Sequence, residues 1–588
     1  MSVGKKFAVQ IEDLGGGLNE GAPASLEDRQ WSNLSNFHPF GSRIERRGGL
    51  TAITTTPYST DLTSLFAYKR AVGEWLLLVG LANGIGKLSG GTVVPLSSSD
   101  TYASLAYPWI MRQYKDEVFA CRPYTGTLKR VTADFMHNAG IAPPATAATI
   151  SEGGAGSKEA GNRQLVYTFY VKETGSESNP SPVSNTLNLS ADKELVANGV
   201  ALSTNPQVNA RRVYETAPNQ EGEYYFVQQI DDNVGTGPFT NDKVQDDLGR
   251  SASFEYGLPP EGIIAIEIAL ERMFATDGNI VYYSKPGLMQ AFSEYDFQPV
   301  MEDDGHKIID LVAWGDVVAV PKTGGMYALR GVGPNAFGVT VVSDKHGARG
   351  FSTKSAEGVL LWYSGENLYR SDGTSPSSIS TLRVRKTLDR IPNEYKDKVV
   401  AAVLPRQSLY LLGVPLDSAT EISHYLAYNY KTDAWDTATP AQAATFFDRF
   451  YDTNFNEVLY GTFPDKRIYQ LECGNTDGGT SIVALAKTKA LEYGQGPGKK
   501  AVSVIGVNTP AVNATMKVRV YNNGQATHVK EKTIDLSTDG WKRVNCSTRK
   551  RLASSHQIEF EYSGTPPLEI HSIEVEGVMF PGRRPKAQ

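Results

Sequence analysis

One pattern recurs along this chain and dominates what it can fold into: an apolar strand, a short turn built on Gly, Asn or Asp, and a second strand carrying Tyr or Leu. It occurs at 74–88 (EWLLLVGLANGIGKL), 117–131, 273–284, 316–330 (DVVAVPKTGGMYALR), 358–370, 408–430 and 457–471. Each instance predicts a β-hairpin. Successive starts lie about 40 to 50 residues apart, the length of a four-stranded propeller blade. Between the second and third an extra stretch of about 110 residues intervenes, and subtracting it restores the interval. A lone twisted sheet cannot bury both faces, whereas radial packing of several sheets does so and leaves only short edges open. The expectation is an all-β chain built on a β-propeller of seven blades, or six if one hairpin belongs elsewhere.

The extra stretch, 144–257, follows the Pro143-Pro144 breaker and contains short alternating strands at 164–171, 210–216 and 223–230, separated by Gly, Pro and Asn turns. It predicts an inserted β-sandwich. The aromatic strand, the Glu173-Thr174-Gly175 turn and the Ser-Pro-rich exit resemble an immunoglobulin or fibronectin type III module. From about Thr480 the pattern changes again, with strands at 502–507, 516–521, 541–544, 557–562 and 568–577, which predict a C-terminal β-sandwich ending in the basic tail Arg583-Arg584-Pro585-Lys586. The expected domains are therefore 1–50, an N-terminal docking arm; 51–143, the first part of the propeller; 144–257, the insertion; 258–478, the second part; and 479–588, the C-terminal sandwich. Helical patterns are confined to 26–34 and 382–395.

Composition narrows the function classes. No apolar run approaches the roughly 18 residues that span a bilayer, and the N-terminus lacks the apolar stretch of a signal peptide, so the chain is expected to fold in the cytosol. Its net charge of −6 argues against a general nucleic-acid binder. Cys121, Cys473 and Cys546 are too few and too scattered for a disulfide framework or a zinc site. Stretch 80–87 lacks the spacing and the Ser/Thr of a phosphate-binding loop. Ser371-Asp372-Gly373-Thr374 is explained by an Asp-Gly turn. Asp452–Asn456 has alternating oxygen side chains but neither the Gly nor the Glu of a calcium loop. No cofactor or metal is expected. Asp303, Asp304, Asp310, Asp316 and Glu366 are the carboxylates that a sugar-cleaving propeller would converge in its channel, and a carbohydrate-binding or carbohydrate-cleaving protein is the alternative reading. Without the rest of such a site, no enzyme is expected.

The N-terminal stretch Leu14-Gly15-Gly16-Gly17-Leu18-Asn19, then Trp31-Ser32-Asn33-Leu34-Ser35-Asn36-Phe37 and Arg46-Arg47-Gly48-Gly49-Leu50, resembles the opening of tail proteins of double-stranded DNA bacteriophages, in particular the tail nozzle, or tail tubular protein B, of short-tailed phages. The order of parts behind it is similar too. The resemblance implies a virion structural protein assembled in the host cytoplasm: a homohexameric ring below the portal and adaptor proteins, in contact with tail fibres, through which double-stranded DNA passes during ejection. Arg43, Arg46, Arg47, Arg583 and Arg584 are then expected to contact neighbouring protein, since arginine suits bidentate carboxylate pairing. A conduit must not grip DNA, so an acidic lumen is expected, with Asp231, Asp232, Asp303 and Asp304 as its candidate lining.

Overall fold

The computed structural model describes residues 5–98, 107–123, 126–331, 333, 336–452, 454–493 and 498–580. Each of the seven hairpins forms the second and third strands of a four-stranded blade, the first being Trp75–Leu81 paired with Gly84–Ser89. The first strands of the blades are Leu62–Lys69, Ile110–Tyr114, Ala265–Ala269, Val312–Trp314, Lys354–Ala356, Val400–Leu404 and Phe446–Tyr451. They touch in that order, and the last touches the first, so the ring closes with seven blades. The second strands are sandwiched by neighbouring blades. Val317–Pro321 and Val359–Tyr363 are buried at every position, which is why they read as unbroken apolar runs rather than as alternation.

The seventh blade lacks a fourth strand of its own. Leu50–Ala52 supplies it from the other end of the chain, pairing Leu50 with Leu471 and Ala52 with Tyr469. The residues before it, expected as an N-terminal docking arm, pair with strands of the same chain. Lys5–Ile11 pairs along its length with Ser572–Phe580 in one sheet of the C-terminal sandwich. Trp31–Ser35 lies between Ala434–Ala438 of blade 6 and Ala484–Thr488 of the sandwich, welding them into a nine-stranded sheet. Phe37–Phe40 and Arg43–Arg46 form a hairpin that adds Glu569–Ile570. The helix expected at 26–34 is therefore absent: Trp31 is a strand residue, and tertiary pairing overrides the local helical pattern. Of the second predicted helix only Arg385–Leu388 and a 3-10 turn at Asn393–Lys398 form, on either side of Pro392.

The insertion is a sandwich with its own core. Leu165–Val171, Ala210–Thr216 and Tyr224–Ile230 form one sheet, Thr149–Lys158, Lys193–Asn198 and Phe239–Asn241 the other, and Tyr167, Phe169, Val213, Ile150 and Leu195 meet between them. It leaves after the outer strand of blade 2, Phe135–Asn138, and returns before the inner strand of blade 3. The two ends are adjacent: a side chain at Gly140 would collide with Pro259. Removing 144–257 and bridging the gap with a short Gly-Ser linker is expected to leave a soluble, cooperatively melting propeller with its β-sheet circular dichroism intact. An insoluble product with every linker length would show that the insertion is an integral part of the ring.

Candidate functional site

The N-terminal motif residues converge where the arm, the last blades and the C-terminal sandwich meet. Leu14, Leu18, Trp31, Leu34 and Phe37 are buried in one core with Trp435 of blade 6 and Phe560 of the sandwich. Trp31 Nε1 donates to the Leu14 carbonyl at 2.9 Å, and the Leu18 amide donates to the Trp435 carbonyl at 2.6 Å. Gly17 has φ +69° and its Cα faces the backbone of Trp435, so the position excludes any side chain. Gly49 is held as closely against the Thr476 carbonyl.

Two charged devices lock this joint. Arg47 forks onto Asp477, Nη1 to Oδ1 at 2.9 Å and Nη2 to Oδ2 at 2.5 Å, with both side chains 3% exposed. Its Nε donates to Asn36 Oδ1 at 2.7 Å, and the Ala441 amide donates to Asp477 Oδ2 at 2.9 Å. Arg46, also buried, donates to the Asn475 and Thr565 carbonyls. The second device is His38, whose Nδ1 lies 2.9 Å from Asp436 Oδ1 and whose Nε2 lies 3.3 Å from Glu472 Oε2. Burial opposes the imidazolium, but the two carboxylates together hold its pKa well above the ordinary histidine value. Burial pushes the Asp436 carboxyl up despite His38, whereas His38, Arg47 and the Gly48 amide together hold Glu472 below its ordinary value against burial.

A second constellation occupies the propeller axis. Arg112, Glu267, Lys354 and Asp448 come from the inner strands of blades 2, 3, 5 and 7, and Asp310 from the approach to blade 4. Arg112 Nε donates to Glu267 Oε2 at 2.9 Å. Burial works against the Arg112 charge, but Glu267, Asp310 and Asp448 outweigh it. Burial raises the Asp310 carboxyl, and Arg112 and Lys354 partly offset that. Charges of both signs thus meet at the axis.

The sequence-predicted residues distribute differently from expectation. Arg46 and Arg47 do make the bonds arginine is suited to, including the carboxylate fork, but inside the chain, which leaves neither free to dock a neighbour. Arg43 is partly exposed and pairs with Glu45 and Glu569. Arg583 and Arg584 lie outside the described residues. Of the carboxylates considered for a channel, Asp310 reaches the axial cluster, while Asp316 and Glu366 are exposed in hairpin turns. Asp304 accepts from buried Lys322 at 2.7 Å, and exposed Asp303 sits beside it between blades 3 and 4. Asp231 and Asp232 belong to the insertion, where Asp232 pairs with buried Arg211 at 2.8 Å and Asp231 lies 3.9 Å from Lys172. Asp452 caps its own turn by accepting the Asn454 and Asn456 amides. His38, Asp436, Glu472, Asp477, Arg112 and Glu267 carried no local signal, because each partner is supplied by a distant strand.

No protein-family model and no curated protein matches the chain. Among solved structures, virginiamycin B lyase from Staphylococcus aureus is similar at 8% identity over 72% of this chain and 98% of its own, with a TM-score of 0.31. The WD40 domain of Pan2 from Neurospora crassa matches at 9% identity over 72% and 94%, with a TM-score of 0.26. An exo-beta-1,3-galactanase from Phanerochaete chrysosporium matches at 9% over 53% and 95%, with a TM-score of 0.22. At these values the likenesses say nothing about activity, and the seven-bladed description rests on the strand order.

Arg47→Ala strands the buried Asp477 carboxylate and is expected to cost on the order of 3–5 kcal/mol, measured as a lowered urea midpoint of the propeller transition. Arg47→Lys should recover only part, since an ammonium cannot fill both arms of the fork. For His38 the folded pKa lies above the unfolded one, so its stabilisation is complete below the unfolded value and is lost as pH rises through the folded value. The ring is 26% exposed, and with that screening His38→Gln should cost about 1–2 kcal/mol under acidic conditions. The melting-temperature gap between wild type and variant should narrow at alkaline pH. A gap independent of pH would mean that His38 acts by packing alone.

Proposed function

We propose that the chain is a non-catalytic structural protein of a short-tailed phage tail, a nozzle subunit that assembles with copies of itself into a ring, six-fold by the resemblance, beneath the adaptor and portal proteins. The observation that carries this reading is the place of the motif residues. The Gly-Gly-Leu-Asn, Asn-x-x-x-Phe and Arg-Arg-Gly segments that resemble tail proteins are the ones that thread the joint and close the seventh blade. A chain whose two ends interlock its propeller and its sandwich is built to transmit force rather than to open around a substrate. The propeller's own centre, packed by its blades and lined by the charged side chains of its inner strands, is not the expected conduit. The path for DNA is then the shared axis of the ring, where the −6 charge of each chain, repeated around the axis, disfavours retention of phosphate.

Size-exclusion chromatography with light scattering tests the proposal. A stable species of about six chains, converted to monomer by substitutions at its contacts, is the expected outcome. A monomer at all concentrations that releases reducing sugar from polysaccharide would replace this reading with a carbohydrate-active one.

A further inference from the structure

Between the two sheets of the insertion a lysine, a glutamate and an asparagine meet out of solvent. Lys158 ends the insertion's first strand, Thr149–Lys158, and Asn241 ends its last, Phe239–Asn241, with Lys193–Asn198 between them in the same sheet. Glu215 reaches both from Ala210–Thr216 in the facing sheet. Lys158 is 1% exposed, Glu215 0% and Asn241 7%.

Lys158 Nζ donates to Glu215 Oε1 at 2.7 Å and to the Lys243 carbonyl at 2.7 Å. Asn241 Nδ2 donates to the other oxygen, Glu215 Oε2, at 2.9 Å. A single carboxylate therefore holds an amine on one oxygen and a carboxamide on the other. The Lys243 amide donates to Asn241 Oδ1 at 3.0 Å. That is the oxygen on which negative charge develops when a nucleophile adds to Cγ, so the backbone N–H stands where an oxyanion donor is needed.

A simple ion pair does not balance the charge in this cluster. Arg163, also fully buried, reaches Glu215 Oε1 at 3.3 Å, and its other carboxylate partner, Glu159, is half in solvent. Two buried cations thus share one buried carboxylate, and an uncompensated charge out of water is strongly disfavoured. Arginine stays protonated, so the relief falls on the lysine. Burial lowers the Lys158 pKa from its ordinary value, with Arg163 acting in the same direction and Glu215 against it. A lysine amine freed of its proton is a nucleophile.

We propose that Lys158 and Asn241 condense to an isopeptide bond, with Glu215 as the proton carrier. Glu215 Oε1 takes a proton from the Lys158 ammonium, and the freed lone pair on Nζ attacks Asn241 Cγ. Negative charge collects on Oδ1 against the Lys243 amide. Glu215 then delivers its proton to Nδ2, and the Cγ–Nδ2 bond breaks. The second proton lost by Nζ follows the same route, so the nitrogen leaves as ammonium and Glu215 ends as the carboxylate it began as. No oxidant or co-reactant is needed. The product leaves one buried cation, Arg163, beside one carboxylate. A covalent link from Lys158 to Asn241 also takes everything between them out of the line of force applied at the insertion's two ends. The inference does not depend on the assembly reading.

Intact-mass spectrometry of the denatured full chain tests it. The expected mass is lower than the sequence mass by about 17 Da, that of one ammonia. A tryptic digest should contain one branched peptide joining the Lys158 and Asn241 segments. Lys158→Arg and Asn241→Ala should each restore the full mass and abolish the branched peptide. Glu215→Gln keeps both reacting groups without the proton carrier, and its linked fraction should fall at least tenfold. A wild-type chain at full sequence mass, or one lighter by the same amount but lacking the branched peptide, would overturn the proposal, and neither result depends on a variant folding. An undiminished linked fraction in Glu215→Gln would overturn the assignment of Glu215.

Discussion

Ring closure depends on a strand that the chain makes first and can use only last. Leu50–Ala52 has no partner until Ile468–Leu471 exists, and until they pair, blade 7 is a three-stranded sheet with an open edge against blade 1. The distance along the chain is less of an obstacle than it looks. Loop-closure entropy grows only logarithmically, by about 0.6 kcal/mol for each doubling of length. Burying one leucine such as Leu471 returns roughly 1.5–3 kcal/mol. The cost is kinetic: pairing across most of the chain belongs to the slow, non-local class of contacts.

Such a closure also has to choose a register. A strand of three residues specifies it poorly, and a slip by one residue would turn Leu50 outward and Thr51 inward. The buried fork of Arg47 on Asp477, with Asn36 and the Ala441 amide completing both groups, has one geometry in which every donor and acceptor is satisfied. Shifted pairings leave a buried charge unpaired, which costs several kcal/mol. The ion pair therefore matters more for selecting one closure than for net stability. His38 makes a similar selection between Asp436 and Glu472.

The blade hairpins were legible in the sequence for the physical reason that makes them hairpins. Val317–Pro321 and Val359–Tyr363 are covered on both faces, so their sequences are uninterrupted apolar runs ended by turn residues. The inner strands were not legible. Lys354–Ala356 has three residues, and Ala265–Ala269 carries Glu267 at its centre because that side chain pairs with Arg112 of the neighbouring blade. Arg47 was expected to pair with a carboxylate of a neighbouring protein, whereas it forks onto Asp477 of its own chain, 430 residues away in sequence. Segment 26–34 has a helical pattern because it follows Pro23 and Ser25, residues that commonly open helices. Only the pairing of Trp31 with Thr488 shows why it is extended.

The distribution of cores then separates what is modular from what is not. The insertion keeps Tyr167, Phe169, Val213 and Leu195 to itself, and its two ends meet at Gly140 and Pro259. It has its own core and is bonded to the ring through Gln207, which accepts from Arg130 and donates to the Asn138 carbonyl. The C-terminal sandwich has no such independence. Val518, Phe560 and Ile573 share one continuous core with Tyr363 of blade 5, Trp435 of blade 6 and Trp31 of the arm, and one of its sheets runs through Trp31–Ser35 into blade 6. Force applied to the sandwich is carried into the propeller along hydrogen-bonded strands rather than through a flexible linker. Likewise, nothing can withdraw the N-terminal strand Lys5–Ile11 without breaking the sheet that Ser572–Phe580 completes. The strands Lys5–Ile11 and Ser572–Phe580 are thus each other's partners, and the sandwich is completed only by residues far apart in sequence.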